Sequence, residues 1–220
     1  MKRFALVLGV VLSVVAVAIA EISWIPLRLS LINSLTFLPK LPVRGLDIGI
    51  LSTYSPELTG LQISPLNGSA GKTIGLQMSA VSSFAGENSI AGQISGVINI
   101  SKNNFKGFQI AAVNITEKIS GGLQIGAINQ TDDFIGTQIT GLIGVTENNS
   151  GLSISGVSNI SKDFSGVQIA GFWNYAENVT GLQISLFNFC QSIRGAQIGL
   201  VNVVAKPKIF PVFVGINTGW

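Results

Sequence analysis

The sequence predicts an all-β fold: a parallel β-solenoid of about ten to twelve coils, each of roughly fifteen residues, closed by terminal caps. Three observations predict it. One octet recurs along the chain, as GLQIGAIN at 122–129, GLQISLFN at 181–188 and GAQIGLVN at 195–202. Its copies keep a nearly constant spacing. The charged residues fall in phase with that spacing, so one part of every unit faces water.

With the glutamine of G-x-Q-I as position zero, the zero sites are Gln62, Gln77, Gln93, Gln109, Gln124, Gln138, Ser153, Gln168, Gln183 and Gln197. Successive spacings are 15, 16, 16, 15, 14, 15, 15, 15 and 14 residues. Glycine stands two places earlier in every unit except one, which has Ala91. Plus one holds isoleucine, or Met78 in one unit. Plus two is always small, plus four always apolar, and asparagine is frequent at plus five or six. Between Gln62 and Gln197 every Asp, Glu, Lys and Arg lies eight to thirteen residues after a zero site.

The divisions follow in order. Residues 1–20 have the form of a secretory signal peptide: Lys2 and Arg3, an apolar run from Phe4 to Val17, and the small-x-small site Ala18-Ile19-Ala20 before Glu21. No cysteine follows Ala20, which excludes a bacterial lipid anchor at that point. Residues 21–44 form an N-terminal cap built on a degenerate unit, Leu27–Asn33 (LRLSLIN). Residues 45–205 carry the tandem units, beginning with Gly45-Leu46-Asp47-Ile48-Gly49, where Asp47 takes position zero. Residues 206–220 supply a C-terminal capping strand with a shortened echo, Val212–Asn217 (VFVGIN).

In a solenoid each position stacks on its equivalent about 4.8 Å along the axis, so a conserved column becomes a ladder. Glutamine and asparagine then hydrogen-bond to their own kind from coil to coil. Glycine at minus two suits a corner that needs positive φ or close backbone approach. The plus-one and plus-four residues are expected to point inward on either side of a bend, each contributing roughly 1.5–3 kcal/mol by burial. Phe172 and Phe187, both at plus four, are then core residues. The competing architecture is an antiparallel outer-membrane barrel with one unit per strand. The alternating ending Val212, Val214, Ile216, Thr218, Trp220 suits it. A barrel also calls for short turns alternating with long loops, and the spacings show no thirty-residue alternation.

The units from Gly60 to Asn202, with LRLSLIN, GLDIG and the ending FPVFVGINTGW, resemble a family of exported bacterial surface-repeat proteins found in spirochaetes and other Gram-negative lineages. The hallmark of that family is tandem GLQIGLVN-type units. The resemblance implies an envelope or surface location and no particular chemistry. This chain departs from the pattern in using serine at many plus-two sites.

The 220-residue chain has no histidine and one cysteine, Cys190. Those absences remove a histidine general base, a His/Cys zinc site and an internal disulfide. The expectation is therefore a protein with no catalytic, cofactor-binding or metal-binding residues. Asp132-Asp133 reads as a solvated turn. Without residues 1–20 the chain holds eleven basic and ten acidic residues, and no basic stripe suited to nucleic acid is visible. Seven N-x-[ST] sequons, at Asn67, Asn99, Asn114, Asn129, Asn149, Asn159 and Asn178, follow from the repeat itself. Trp173 and Tyr175, of outward parity, are the candidates for surface contact with a glycan or a membrane interface. The function expected is that of a non-catalytic envelope scaffold or adhesion surface with an unknown envelope partner. Outer-membrane association is part of that expectation, and an integral outer-membrane barrel, with pore formation as one role for it, is the alternative.

Overall fold

The computed structural model describes residues 23–32, 35–36, 41–206 and 212–219. The signal-peptide segment, Asn33 and Trp220 lie outside the described residues. The described chain is a parallel β-solenoid of about eleven turns. Equivalent residues of successive coils are direct neighbours: Gly166 beside Gly181, Gln168 beside Gln183, Ile169 beside Ile184. All the repeat strands run the same way, which overturns the antiparallel barrel alternative.

Each early coil has two strands joined at a bend. Ser89–Ser95 carries the zero site, and Ile98–Ser101 follows it. The first stacks between Thr73–Ser79 and Phe105–Ile110. The second stacks between Ser82–Ala85 and the strand that begins at Val113. From Val113 onward the extended segments run through the corners almost without a break, as Val113–Ser155, Ser158–Ala170, Trp173–Ile184 and Phe187–Val204.

Antiparallel strands close both ends. Val212–Gly219 lies against the last coil, with Ile216 beside Ile198. Leu35–Thr36 folds back on the first strand, Ile25–Ile32. These strands cover parallel edges that would otherwise template further pairing.

The minus-two glycines hold one corner for two separate reasons. Ten of them have φ between 121° and 145°, a region closed to residues with a side chain. A Cβ on Gly166 would also lie 2.1 Å from the carbonyl oxygen of Gly151, one coil away.

The direction of the side chains departs from expectation. The zero site points inward: Gln62, Gln77, Gln93, Gln109, Gln138, Gln168, Gln183 and Gln197 are 0% exposed. On an extended strand neighbouring residues face opposite sides. The plus-one isoleucines therefore point outward, Ile63, Ile110, Ile139 and Ile198 exposed and the others half-buried. The bend at plus three and four does not turn plus four inward either. Leu142 is 50% exposed and Phe172 is 52% exposed, and Phe187 also lies on the surface. The apolar columns assigned to the core form the outside of the solenoid.

Polar side chains fill most of the interior instead, and they satisfy one another. Each glutamine Nε2 donates to the carbonyl oxygen of the previous zero-site glutamine, at 2.7–2.9 Å, from Gln77 to Gln138 and again from Gln183 to Gln197. Ser153 interrupts the column, its hydroxyl turning to Asn159 Oδ1. The asparagines form a second column. Asn99 donates to Asn114 and Asn114 to Asn129; Asn159, Asn174 and Asn188 likewise donate to the next coil. The two columns donate in opposite directions along the axis, so their amide dipoles oppose one another. Asparagine Nδ2 also donates to the main-chain carbonyl of a plus-one residue, as Asn114 does to Ile125 and Asn174 to Ile184. One side chain thereby ties together both faces of adjacent coils.

The glutamine column ends on charge. Gln62 donates to Asp47, whose carboxylate also receives Arg28 and the Thr53 hydroxyl. Arg28 and Asp47 are fully buried, and the carboxylate sits at the amide-donor end of the aligned column, where negative charge is favoured as it is at a helix N-terminus.

Candidate functional site

Two outer surfaces with opposite chemistry result. The first runs from one residue before the zero site, over the bend, to the outward residue of the second strand. In successive coils it covers 46–54, 61–68, 76–84, 92–100, 108–115, 123–130, 137–145, 152–160, 167–175, 182–189 and 196–203. The only charged residue in these eleven segments is Asp47, and it is buried. At about 4.8 Å per coil the surface extends roughly 50 Å.

The bend makes this surface convex. Strands on either side send their glutamine, asparagine and small residues to a common interior, so plus three and plus four form a ridge. Leu142, Val157, Phe172 and Phe187 are successive exposed residues along it. The Phe172 and Phe187 rings meet edge to face, with centroids 5.3 Å apart. The ridge backbone is paired too: the N–H groups of Val97, Val113, Val157, Phe172, Phe187 and Val201 each donate to a carbonyl one coil back.

Trp173 and Tyr175 lie on this surface beside the ridge. Trp173 is 45% exposed. Tyr175 is half-buried and stacked on Phe189 at 5.5 Å, with the rings 8° from parallel. Both have the outward parity expected of them. Their neighbourhood in the sequence did not mark the larger feature, which is the full length of the ridge.

The second surface is the charged corner. Asp132 accepts the main-chain N–H of Lys118, and Asp133 accepts from the Asn148 amide. Asn178 donates to Asp163 and accepts from the Ser192 hydroxyl. Between these rows lies a cleft of about 450 Å³ whose lining includes Asp133, Ile135, Asn148, Asp163 and Thr180. Among the described residues no three acidic or cysteine side chains converge as metal ligands would. Beneath this corner the interior is mixed: Val43, Leu58, Phe105, Phe134, Phe164 and Val179 are buried there, in one column with buried Thr73, Ser89, Ser120 and Asn149.

Six of the seven sequon asparagines are buried in the interior, and Asn178 alone of them is exposed. Cys190 is also interior. Its thiol accepts from Gln197 Nε2, and burial pushes its pKa up to about 12. It is inert in the folded chain, since the thiolate is the reactive form.

Fold and surface together define the class: a capped parallel β-solenoid with a polar, hydrogen-bonded interior and an apolar outer ridge. Comparison with protein-family models, curated proteins and solved structures returns no match.

Proposed function

We propose that this chain is a non-catalytic, exported cell-envelope protein whose solenoid is a rigid scaffold presenting a repeated contact surface. The uncharged outer surface, repeated over eleven coils, carries this reading. Water does not favour so large an apolar exterior, whereas a partner that covers it gains free energy with every coil engaged. The signal-like residues 1–20 and the resemblance to exported surface-repeat proteins support an envelope location. The stacked backbone supports rigidity, because each coil is fixed by its neighbours on both sides.

Fractionation of cells expressing the tagged full chain provides the test. The expected result is recovery in the envelope fraction, with loss of residues 1–20 detected by mass spectrometry. Recovery in the cytoplasm with residues 1–20 intact would reject the envelope reading.

A further inference from the structure

We propose that the occupant of the ridge is the acyl region of a lipid layer, in which the solenoid lies lengthwise with its charged corner in water. This deepens the scaffold reading above by naming the partner. Three observations select lipid over a protein surface. The ridge is convex, so a second copy would meet it along a line, whereas a fluid layer closes around it. Its plus-four backbone N–H groups are paired coil to coil, and the glutamine and asparagine columns are turned inside and bonded to one another, with Gln130 exposed at the surface's edge; hydrocarbon favours a segment whose polar groups are satisfied in this way. The charges are segregated on the far side. From Arg44 to Lys206, leaving out buried Asp47, they number eight basic and eight acidic.

That balance sets the character of the binding. Amphipathic elements seat their apolar face about 5–10 Å into the boundary between headgroups and acyl chains. With no net charge at the corner, affinity comes from apolar area and does not depend on anionic headgroups or salt. Trp173 and Tyr54, exposed on the surface flanking the ridge, stand where aromatic rings favour a membrane–water boundary.

The test uses the full chain with Trp24→Phe and Trp220→Phe, leaving Trp173 as the reporter, and phosphatidylcholine vesicles with brominated acyl chains. The expected result is quenching of Trp173 emission by these vesicles, equal at low and high salt and unchanged by adding anionic lipid. Leu142→Glu, Val157→Glu and Phe172→Glu together should weaken the quenching about tenfold or more. Glu147→Lys with Lys162→Glu, at the charged corner, should leave it unchanged. All variants retain residues 1–20, so binding through that apolar run is common to them, and circular dichroism checks that each keeps its β structure. No quenching, or quenching that the triple variant keeps, would overturn the proposal. So would a lipid-free dimer that the triple variant dissociates, because a second copy would then occupy the ridge. The outcome is separable from the envelope reading: cytoplasmic recovery with Trp173 still quenched by lipid rejects only the location.

Discussion

At the charged corner Phe105, Phe134 and Phe164 are inside, interleaved with Thr73, Ser89, Ser120 and Asn149, and Lys, Asp and Glu are outside beside a few exposed isoleucines such as Ile90 and Ile135. At the ridge the same coils are inverted, with glutamine and asparagine inside and Ile, Leu, Val and Phe outside. One backbone winding thus builds two regions on opposite principles. The corner is held in part by burial of apolar side chains such as Phe105, Phe134 and Phe164. The ridge is held by side-chain hydrogen bonds in a space from which water is excluded, where a satisfied network is strong and a broken one is costly. Among the described residues only Arg28 Nη1, Ser55 Oγ, Thr73 Oγ1 and Asn149 Oδ1 are buried without a partner. The inversion therefore leaves few polar atoms unsatisfied.

The largest expected effect comes from breaking the backbone ladder on which both regions hang. Gly166→Val places a β-branched residue at φ 130° and drives its Cβ into the Gly151 carbonyl. The strain and overpacking together cost on the order of 4 kcal/mol. A urea titration should show a large fall in the unfolding midpoint. A midpoint near that of the parent chain would mean that the corner can open without loss.

Next comes the interior of the inverted region. Gln109 donates to Gln93 and Ser101 and accepts from Gln124 and Thr116. Gln109→Leu nearly preserves volume and adds apolar character, yet strands these partners, at a cost of about 2–4 kcal/mol. A leucine that stabilised the protein would show that the ridge interior follows the same rule as the charged corner.

Cys190 sharpens the comparison at the boundary between the regions. It touches Gln197 on the polar side and packs with Ala176 and Val204 on the apolar side. Its folded pKa is raised from 9.0 to about 12 by burial. Unfolding therefore releases a proton above pH 9.0, and this part of the stability, complete below pH 9.0, is lost as the pH rises toward about 12. The urea midpoint of the parent should fall over that window more than that of Cys190→Ser, a residue the column already accepts at Ser161. Alkylation by iodoacetamide at pH 8 should require unfolding.

Much of this was legible in the sequence. The period gave the coil, the in-phase charges gave the solvated corner, and glycine at minus two gave the positive-φ turn. The self-pairing of Gln and Asn gave the ladders. The direction of the isoleucines was legible too, because Gln168 and Ile169 are adjacent on a strand and cannot both face inward. The expectation that apolar columns form the core conflicts with that parity, and the parity holds. What no single unit displays is the absence of charge along the whole ridge, which emerges only when eleven coils are aligned.

The smallest expected effect decides the inversion most directly. Ile154 sits at plus one, between Ile139 and Ile169 of the adjoining coils. Were that column the core, Ile154→Lys would bury an unpaired ammonium and cost several kcal/mol. With the column outside, the lysine stem lies along its neighbours while the charge stays in water. The change in stability without lipid should then be within about 0.5 kcal/mol. A fall of the urea midpoint as large as that of Gln109→Leu would place the isoleucines inside, and the ridge would lose its basis.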